Sequence, residues 1–241
     1  MALEHDHAPE AIRERLAAEL KPNYLRDFVY GAVDGAVTTF AVVAGVEGAS
    51  LETRIVIILG LANLLADGLS MAASNYSGTK AEVDDARRLA EVERRHIRED
   101  AAGEREEIRQ IMALKGLRGE ALEVAVKAIT AREETWVAMM LAEEYGVPGV
   151  LRSPLLSAGS TFVAFIIAGA VPLVPFVAGS ETAFAIASVT VATVFFAIGS
   201  LKSLWSLQRW WISGLETLAI GSAAAAVAYL VGYLLRGLGV P

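Results

Sequence analysis

The chain lacks cysteine, and it carries little charge for its length. Of its 241 residues, 54% are hydrophobic and 20% are charged, whereas an ordinary soluble domain has about 25% charged residues. The absence of thiols excludes a disulfide scaffold, a cysteine zinc finger and a thiol enzyme. The high apolar fraction excludes a disordered chain. A net charge of −7 provides no basic face, so no nucleic acid partner is expected.

The few charged residues are unevenly distributed. More than half of them lie between residues 80 and 153, so the rest of the chain is very apolar. A helix needs about 20 mostly apolar residues to cross the hydrocarbon core of a bilayer. Five stretches meet this requirement, at about residues 28–48, 55–73, 155–177, 182–201 and 212–235. The sequence therefore predicts an all-α, polytopic protein of the lipid bilayer, with five transmembrane helices and a cytosolic three-helix insert between spans two and three.

Lysine and arginine near the span ends predict the orientation. The N-terminal segment and the insert carry many of them, whereas the loop between spans three and four carries none. The N-terminus and the insert are therefore expected in the cytosol, and the C-terminus on the opposite side. The predicted parts are a cytosolic segment (1–27), two spans (28–75), a cytosolic helical domain (76–150) and three further spans (151–241). No cleaved signal segment is recognisable, which is compatible with a prokaryotic inner (plasma) membrane.

The first two spans contain ionisable residues, which are costly inside a membrane and usually functional. Asp34 lies in the first span, two turns after Asp27. Asn63, Asp67 and Met71 recur at i, i+4 and i+8 in the second span and therefore share one helix face. One interpretation is that the carboxylates cap helices or pair with basic residues near the interface. The other is a polar path through the membrane, lined by carboxylates and a thioether.

The insert is predicted to be helical, with a long helix over about residues 76–114 and two shorter ones over about 120–130 and 132–145. In the long helix, five side chains that can bind metal recur at helical spacing and fall on one narrow stripe. They are Glu93, His96, Asp100, Glu104 and Glu107. Four carboxylates on one line repel one another unless cations neutralise them. The stripe therefore favours a site for metal ions.

The last predicted helix of the insert adds Met139, Met140 and Glu143 on one face, beside Trp136. Carboxylate and imidazole suit divalent Fe, Mn, Co, Ni or Zn, and thioethers disfavour Mg²⁺ and Ca²⁺. Two simpler interpretations stay open. A helix rich in Glu and Arg is usually a solvated face with ion pairs between successive turns, and a methionine pair on an amphipathic helix is more often part of a core.

Several motifs carry a resemblance to a known family. They are DGAVTTFAVVAG at residues 34–45, GLAN at 60–63, LSM at 69–71 and KAE at 80–82. Together with an acidic insert between spans two and three, they make the chain similar to the vacuolar iron transporter family of Fe²⁺ and Mn²⁺ transporters, as a prokaryotic-type member. The resemblance covers nearly all of residues 24–235.

The resemblance implies a homodimer with the transport path at the subunit interface. It also implies export of Fe²⁺ or Mn²⁺ from the cytosol in exchange for protons, with an insert that collects metal and with no organic cofactor. By position, the implied path residues are Asp27, Asp34, Asn63 and Met71, and the implied ligands of the insert are Glu93, His96, Glu104, Glu107, Met139, Met140 and Glu143. The family tends to have glutamate where Asn63 and His96 stand in this chain. Asn63 therefore removes a charge from the path, and Asp67, one turn away, is the carboxylate that replaces it.

Three rival functions share some of these features with proton-coupled metal export. A membrane-anchored metal sensor or storage protein needs no carboxylates buried in its anchors. A passive channel for divalent cations has the same sequence features as an exchanger. A di-iron enzyme needs a pair of Glu-x-x-His motifs, whereas Glu93 and His96 form a single copy. Enzymatic activity is therefore not expected.

Overall fold

The computed structural model describes residues 6–18 and 20–236, and every regular element in these ranges is helical. The helices are α1 (Pro9–Ala17), α2 (Leu25–Gly48), α3 (Thr53–Glu99), α4 (Ala101–Leu114), α5 (Gly119–Ile129), α6 (Glu133–Glu143), α7 (Pro154–Ala170), α8 (Val174–Val177), α9 (Ala183–Lys202) and α10 (Trp210–Arg236). Short 3₁₀ turns follow α7 at Val171–Leu173 and α9 at Ser203–Trp205. Pro172 and Pro175 interrupt the helix between α7 and α8, because proline removes a backbone donor.

Within the described ranges, five segments are long and apolar enough to cross a membrane. They are α2, the first part of α3, α7 with α8, α9 with its 3₁₀ turn, and α10. The predicted all-α fold class is therefore confirmed, and the five candidate spans correspond to the five predicted stretches. The second span differs from expectation in one respect, because it belongs to a helix of 47 residues that continues to Glu99.

The chain folds as two compact units. Of the described residues, the polar unit contains those up to Asn23 together with Lys80–Arg152, and the membrane unit contains Tyr24–Thr79 and those from Ser153 to residue 236. In the polar unit, α4, α5 and α6 pack around an apolar cluster of Ile108, Val126 and Met140. This cluster gives the polar unit a core of its own.

In the membrane unit, α2 packs along α7, α9 and α10. Small residues make this close packing possible, as is common between membrane helices. Gly35 shows the constraint directly, because a Cβ atom at this position would lie 2.4 Å from the carbonyl oxygen of Phe165 in α7. Helix α3 joins the unit through one row of buried residues at i+4 spacing, namely Val56, Gly60, Leu64 and Gly68.

The predicted continuous helix over residues 76–114 is wrong. Helix α3 ends at Glu99, and Asp100 leaves the helical conformation with φ −141° and ψ 69°. Its carboxylate accepts a hydrogen bond of 2.9 Å from the backbone N–H of Gly103, which caps the start of α4. Aspartate is among the best N-cap residues, because its side chain satisfies an amide that has no partner inside the helix. The stripe predicted on one helix is therefore divided between two.

We expect Gly35→Ala to destabilise the membrane unit, because the added Cβ has to push α2 away from α7. The cost should be about 1–3 kcal/mol, as for other overpacked cores. The thermal unfolding midpoint of the protein in detergent measures the effect. Gly78→Ala is the matched control, since nothing lies within 4 Å of a Cβ at that helical position. Equal midpoints for the two variants would contradict this account of the packing.

Candidate functional site

Glu93, His96 and Glu104 form a compact cluster in the polar unit. Helix α3 supplies Glu93 and His96 from its last two turns, and α4 supplies Glu104 from its first turn. One ligand atom from each of the three residues lies within 4.8 Å of the others. His96 Nδ1 is 3.4 Å from Glu104 Oε1 and 3.9 Å from Glu93 Oε1. The turn at Asp100 thus brings the two helix ends together around three potential ligands.

The two carboxylates of the cluster are buried and incompletely satisfied. Glu93 is 1% exposed and Glu104 is 6% exposed. Among the described residues, the Oε2 atom of each has no hydrogen-bond partner. Burial, followed by the charges of Glu107 and Glu93, raises the pKa of Glu104 to about 7. Buried carboxylates are costly unless a cation or a hydrogen-bond donor compensates them, so this arrangement suits a bound cation.

Two of the neighbouring arginines, Arg94 and Arg109, pair with other carboxylates. Arg94 binds Glu91 at 2.6 Å, and Arg109 binds Glu123 at 2.8 Å. The interpretation of a solvated face with ion pairs is therefore correct for the outer side of these helices. Among the described residues, the basic group that lies within ion-pair distance of Glu93 and Glu104 is the imidazole of His96.

Two residues that the sequence analysis missed also reach the cluster. The hydroxyl of Tyr145 donates a hydrogen bond of 2.9 Å to Glu93 Oε1. Glu144 lies close enough for its charge to act on Glu104, and burial together with the charge of Glu93 raises the pKa of Glu144. Both follow the end of α6 at Glu143, where helical spacing no longer applies. Burial and the Glu93 charge also raise the pKa of Tyr145, so its hydroxyl keeps its proton.

The other carboxylates predicted as ligands have different surroundings. Glu107 is exposed, and its charge acts on Glu104. Asp100 is exposed and caps α4. Glu143 forms an ion pair of 2.7 Å with Lys115. The structure therefore places Glu107 beside the cluster, whereas Asp100 and Glu143 have other partners.

The methionine pair lies in the apolar core of the polar unit. Met140 is fully buried beside Ile108 and Trp136, and Met139 packs against the same cluster. The interpretation of these residues as core is supported by this packing. Any role for their sulfur atoms as ligands stays a prediction.

In the membrane unit, the predicted polar face of α3 forms a continuous row. Asn63, Asp67 and Met71 are all half-buried, between the buried row of α3 and the exposed leucines of its outer side. The Nδ2 atom of Asn63 is buried and has no hydrogen-bond partner among the described residues. Asp34 of α2 is also half-buried, and it lies close enough to Asp67 for their charges to interact. The structure thus brings two membrane carboxylates from different helices near each other.

Asp27 lies in a hydrogen-bonded network that the sequence analysis did not find. Asn75 Nδ2 donates to Asp27 Oδ1 at 3.0 Å and to Thr161 Oγ1 at 2.7 Å. Thr161 in turn donates to the backbone oxygen of Asp27 at 3.2 Å. This network connects α2, α3 and α7, and Asp27 is only 4% exposed. Asn75 continues the row of Asn63, Asp67 and Met71 by one turn, so extending the i+4 spacing would have identified it.

The family model of the VIT family matches residues 25–233. The chain belongs to the VIT family. The resemblance seen in the motifs is therefore confirmed.

Several relatives in the VIT family are similar to this chain over most of their length. Vacuolar iron transporter 2 of Oryza sativa subsp. japonica is 30% identical over 208 residues, which cover 85% of this chain and 85% of the relative. Vacuolar iron transporter 1 of the same plant is 31% identical over 231 residues, covering 93% and 88%. The vacuolar iron transporter of Toxoplasma gondii is 31% identical over 230 residues, covering 89% and 75%. VIT membership places the chain among transporters rather than enzymes.

We expect Asn75→Ala to destabilise the membrane unit, because it removes the donor to Asp27 and Thr161. Losing a buried hydrogen-bond partner costs about 1–3 kcal/mol. The thermal unfolding midpoint in detergent measures this loss. Ser74→Ala is the control, since Ser74 is the exposed neighbour in the same helix. An Asn75→Ala midpoint within error of the control would show that the network contributes little to stability.

Proposed function

We propose that this chain exports divalent transition metal ions, Fe²⁺ and Mn²⁺, from the cytosol across a membrane in exchange for protons. The observation that carries the proposal is the cluster of Glu93, His96 and Glu104, in which each buried carboxylate has one oxygen without a hydrogen-bond partner among the described residues. Membership in the VIT family supports transport. The names of the relatives support iron as the transported metal.

The cluster provides suitable chemistry for collecting these ions. Carboxylate oxygen and imidazole nitrogen are ligands that Fe²⁺ and Mn²⁺ accept, and Co²⁺, Ni²⁺ and Zn²⁺ compete for them. A dication neutralises Glu93 and Glu104 together, which relieves the cost of burying them. Since ligands have to lose their protons, and the pKa of Glu104 is about 7, metal binding releases a proton near neutral pH.

The proposed orientation follows from the distribution of basic residues. The polar unit, which is rich in arginine, faces the cytosol, and the C-terminus lies on the opposite side of the membrane. The polar unit then serves to collect metal before transport. A prokaryotic inner membrane is the proposed location, whereas the relatives are named for the vacuole.

The proposed path runs along the half-buried polar row of α3 and the facing carboxylate of α2. Asp34 and Asp67 bind either a metal ion or protons, and Met71 supplies a thioether that favours transition metals over Mg²⁺ and Ca²⁺. Asn63 adds a polar amide, and Asp27 is a fixed acidic group at the start of α2. Competition between metal and protons for the same oxygens couples the two flows. A homodimer with the path at its two-fold interface brings two copies of each residue together.

Metal uptake into proteoliposomes tests the proposal as a whole. Fe²⁺ and Mn²⁺ uptake should rise when a pH gradient is imposed in the direction that supplies protons for exchange. Uptake that ignores the pH gradient would indicate a passive channel. Absence of uptake by a protein that still binds metal would indicate a sensor or storage protein.

We expect Asp34→Ala to abolish uptake, because it removes a carboxylate that binds both the ion and the proton. Uptake rates in the same proteoliposomes measure this loss. Glu216→Ala is the matched control, since Glu216 is exposed in α10 and pairs with Lys202 at 3.5 Å. Both variants should elute like the wild type in size-exclusion chromatography. Undiminished uptake by Asp34→Ala would remove this residue from the path.

Metal affinity of the full chain should fall as the pH falls below about 7. The pKa of Glu104 is raised to about 7, so below this value the carboxyl holds a proton that the metal has to displace. One displaced proton makes the affinity decrease about tenfold per pH unit. Calorimetry of Mn²⁺ binding at several pH values between about 5.5 and about 8 measures the slope.

Glu104→Gln is the variant for this experiment, because it keeps the shape of the side chain but has no proton to release. It should bind Mn²⁺ weakly and show a flatter pH dependence. Glu120→Gln, at an exposed position of α5, is the control and should behave like the wild type. A wild-type slope in Glu104→Gln would exclude Glu104 as the titrating ligand.

A further inference from the structure

We propose that Tyr145 is a positioning residue for the metal centre, whose hydroxyl fixes the Glu93 carboxylate and leaves its second oxygen free for a cation. The inference rests on the proposed function of the cluster. It assigns a role to a residue outside the helices that supply the ligands.

The two oxygens of Glu93 have different surroundings. Oε1 accepts the hydrogen bond of 2.9 Å from Tyr145, whereas Oε2 is buried without a partner among the described residues. His96 does not replace the tyrosine, because its Nδ1 lies 3.9 Å from Oε1, beyond hydrogen-bond distance. Carboxylates that bind metals are themselves held by hydrogen bonds, which fix their orientation. Tyr145 is in the right position to provide this support.

The backbone around Tyr145 is itself well defined. Gly146 adopts a φ of +66°, a conformation that glycine reaches without strain. The N–H of Val147 donates a hydrogen bond of 2.9 Å to the carbonyl oxygen of Leu141 in α6. This turn ends α6 and holds Tyr145 at a fixed distance from the helix. Because this turn is closed by a hydrogen bond, it holds the Tyr145 phenol in contact with Glu93, which lies 52 positions earlier in the chain.

Tyr145 contributes little to the apolar core of the polar unit. The residue is 37% exposed, and the described core is built from other residues, including Ile108 and Val126. The specific contact of Tyr145 is thus the hydrogen bond from its hydroxyl to Glu93. Tyr145→Phe removes that hydroxyl and keeps the ring, so it separates positioning from packing.

The test compares the wild type, Tyr145→Phe and Tyr30→Phe as full chains in detergent. Tyr30→Phe is the control, because it removes the same hydroxyl from a residue of α2 that is 64% exposed. Calorimetry measures Mn²⁺ affinity, electron paramagnetic resonance reports the ligand geometry of bound Mn²⁺, and thermal unfolding without metal reports stability. Loss of a hydrogen bond to a metal ligand typically weakens binding about 10–100-fold.

We expect Tyr145→Phe to weaken Mn²⁺ binding in this range and to change the resonance spectrum, with an unfolding midpoint like that of the control. Wild-type affinity and an unchanged spectrum in Tyr145→Phe would overturn the inference. A loss of affinity that is accompanied by a lower midpoint and an unchanged spectrum would also overturn it, because the role would then be structural. Absence of Mn²⁺ binding by the wild type would instead reject the proposed function.

Discussion

The burial of Glu93 and Glu104 beside each other is the constraint on which the polar unit depends. Each has an oxygen without a partner among the described residues, and Arg94 and Arg109 pair with other carboxylates. Such an arrangement is unfavourable for an empty protein, because both carboxylates lose hydration when they are ionised, which is why the pKa of Glu104 rises to about 7. The free energy that is lost in the empty state becomes available when a dication binds. A site of this kind gives up some stability in exchange for affinity.

The membrane unit uses its polar groups in two different ways. Around Asn75, hydrogen bonds between three helices hold the carboxylate of Asp27. Around Asp34 and Asp67, two half-buried carboxylates repel each other across α2 and α3. A satisfied network stabilises one arrangement of helices, whereas groups that repel each other change their preference when a proton or a metal ion arrives. The contrast distinguishes the fixed carboxylate of Asp27 from Asp34 and Asp67, the pair proposed to bind the ion or protons.

Much of the fold follows from local features of the sequence. The spans were predicted because a long apolar stretch needs no distant information, and the row of Asn63, Asp67 and Met71 was predicted because it lies on one helix. The end of α3 was missed, since the capping hydrogen bond that the Asp100 carboxylate accepts from the Gly103 N–H outweighs the high helix propensity around it. The contact of Tyr145 with Glu93 was missed because it depends on how α6 packs against the other helices. Sequence spacing identifies the candidate ligands, and packing decides which of them meet.

The division of the cluster between two helices has a mechanical consequence. Glu93 and His96 stand near the end of α3, Glu104 stands at the start of α4, and the non-helical residue Asp100 lies between them. A cation that binds all three residues closes a small loop around this joint, much as a removable cross-link does. The angle between the two helices is then fixed while the ion is present and free to vary after it leaves. Under the proposed function, occupancy by metal would therefore increase the stiffness of the chain at this joint.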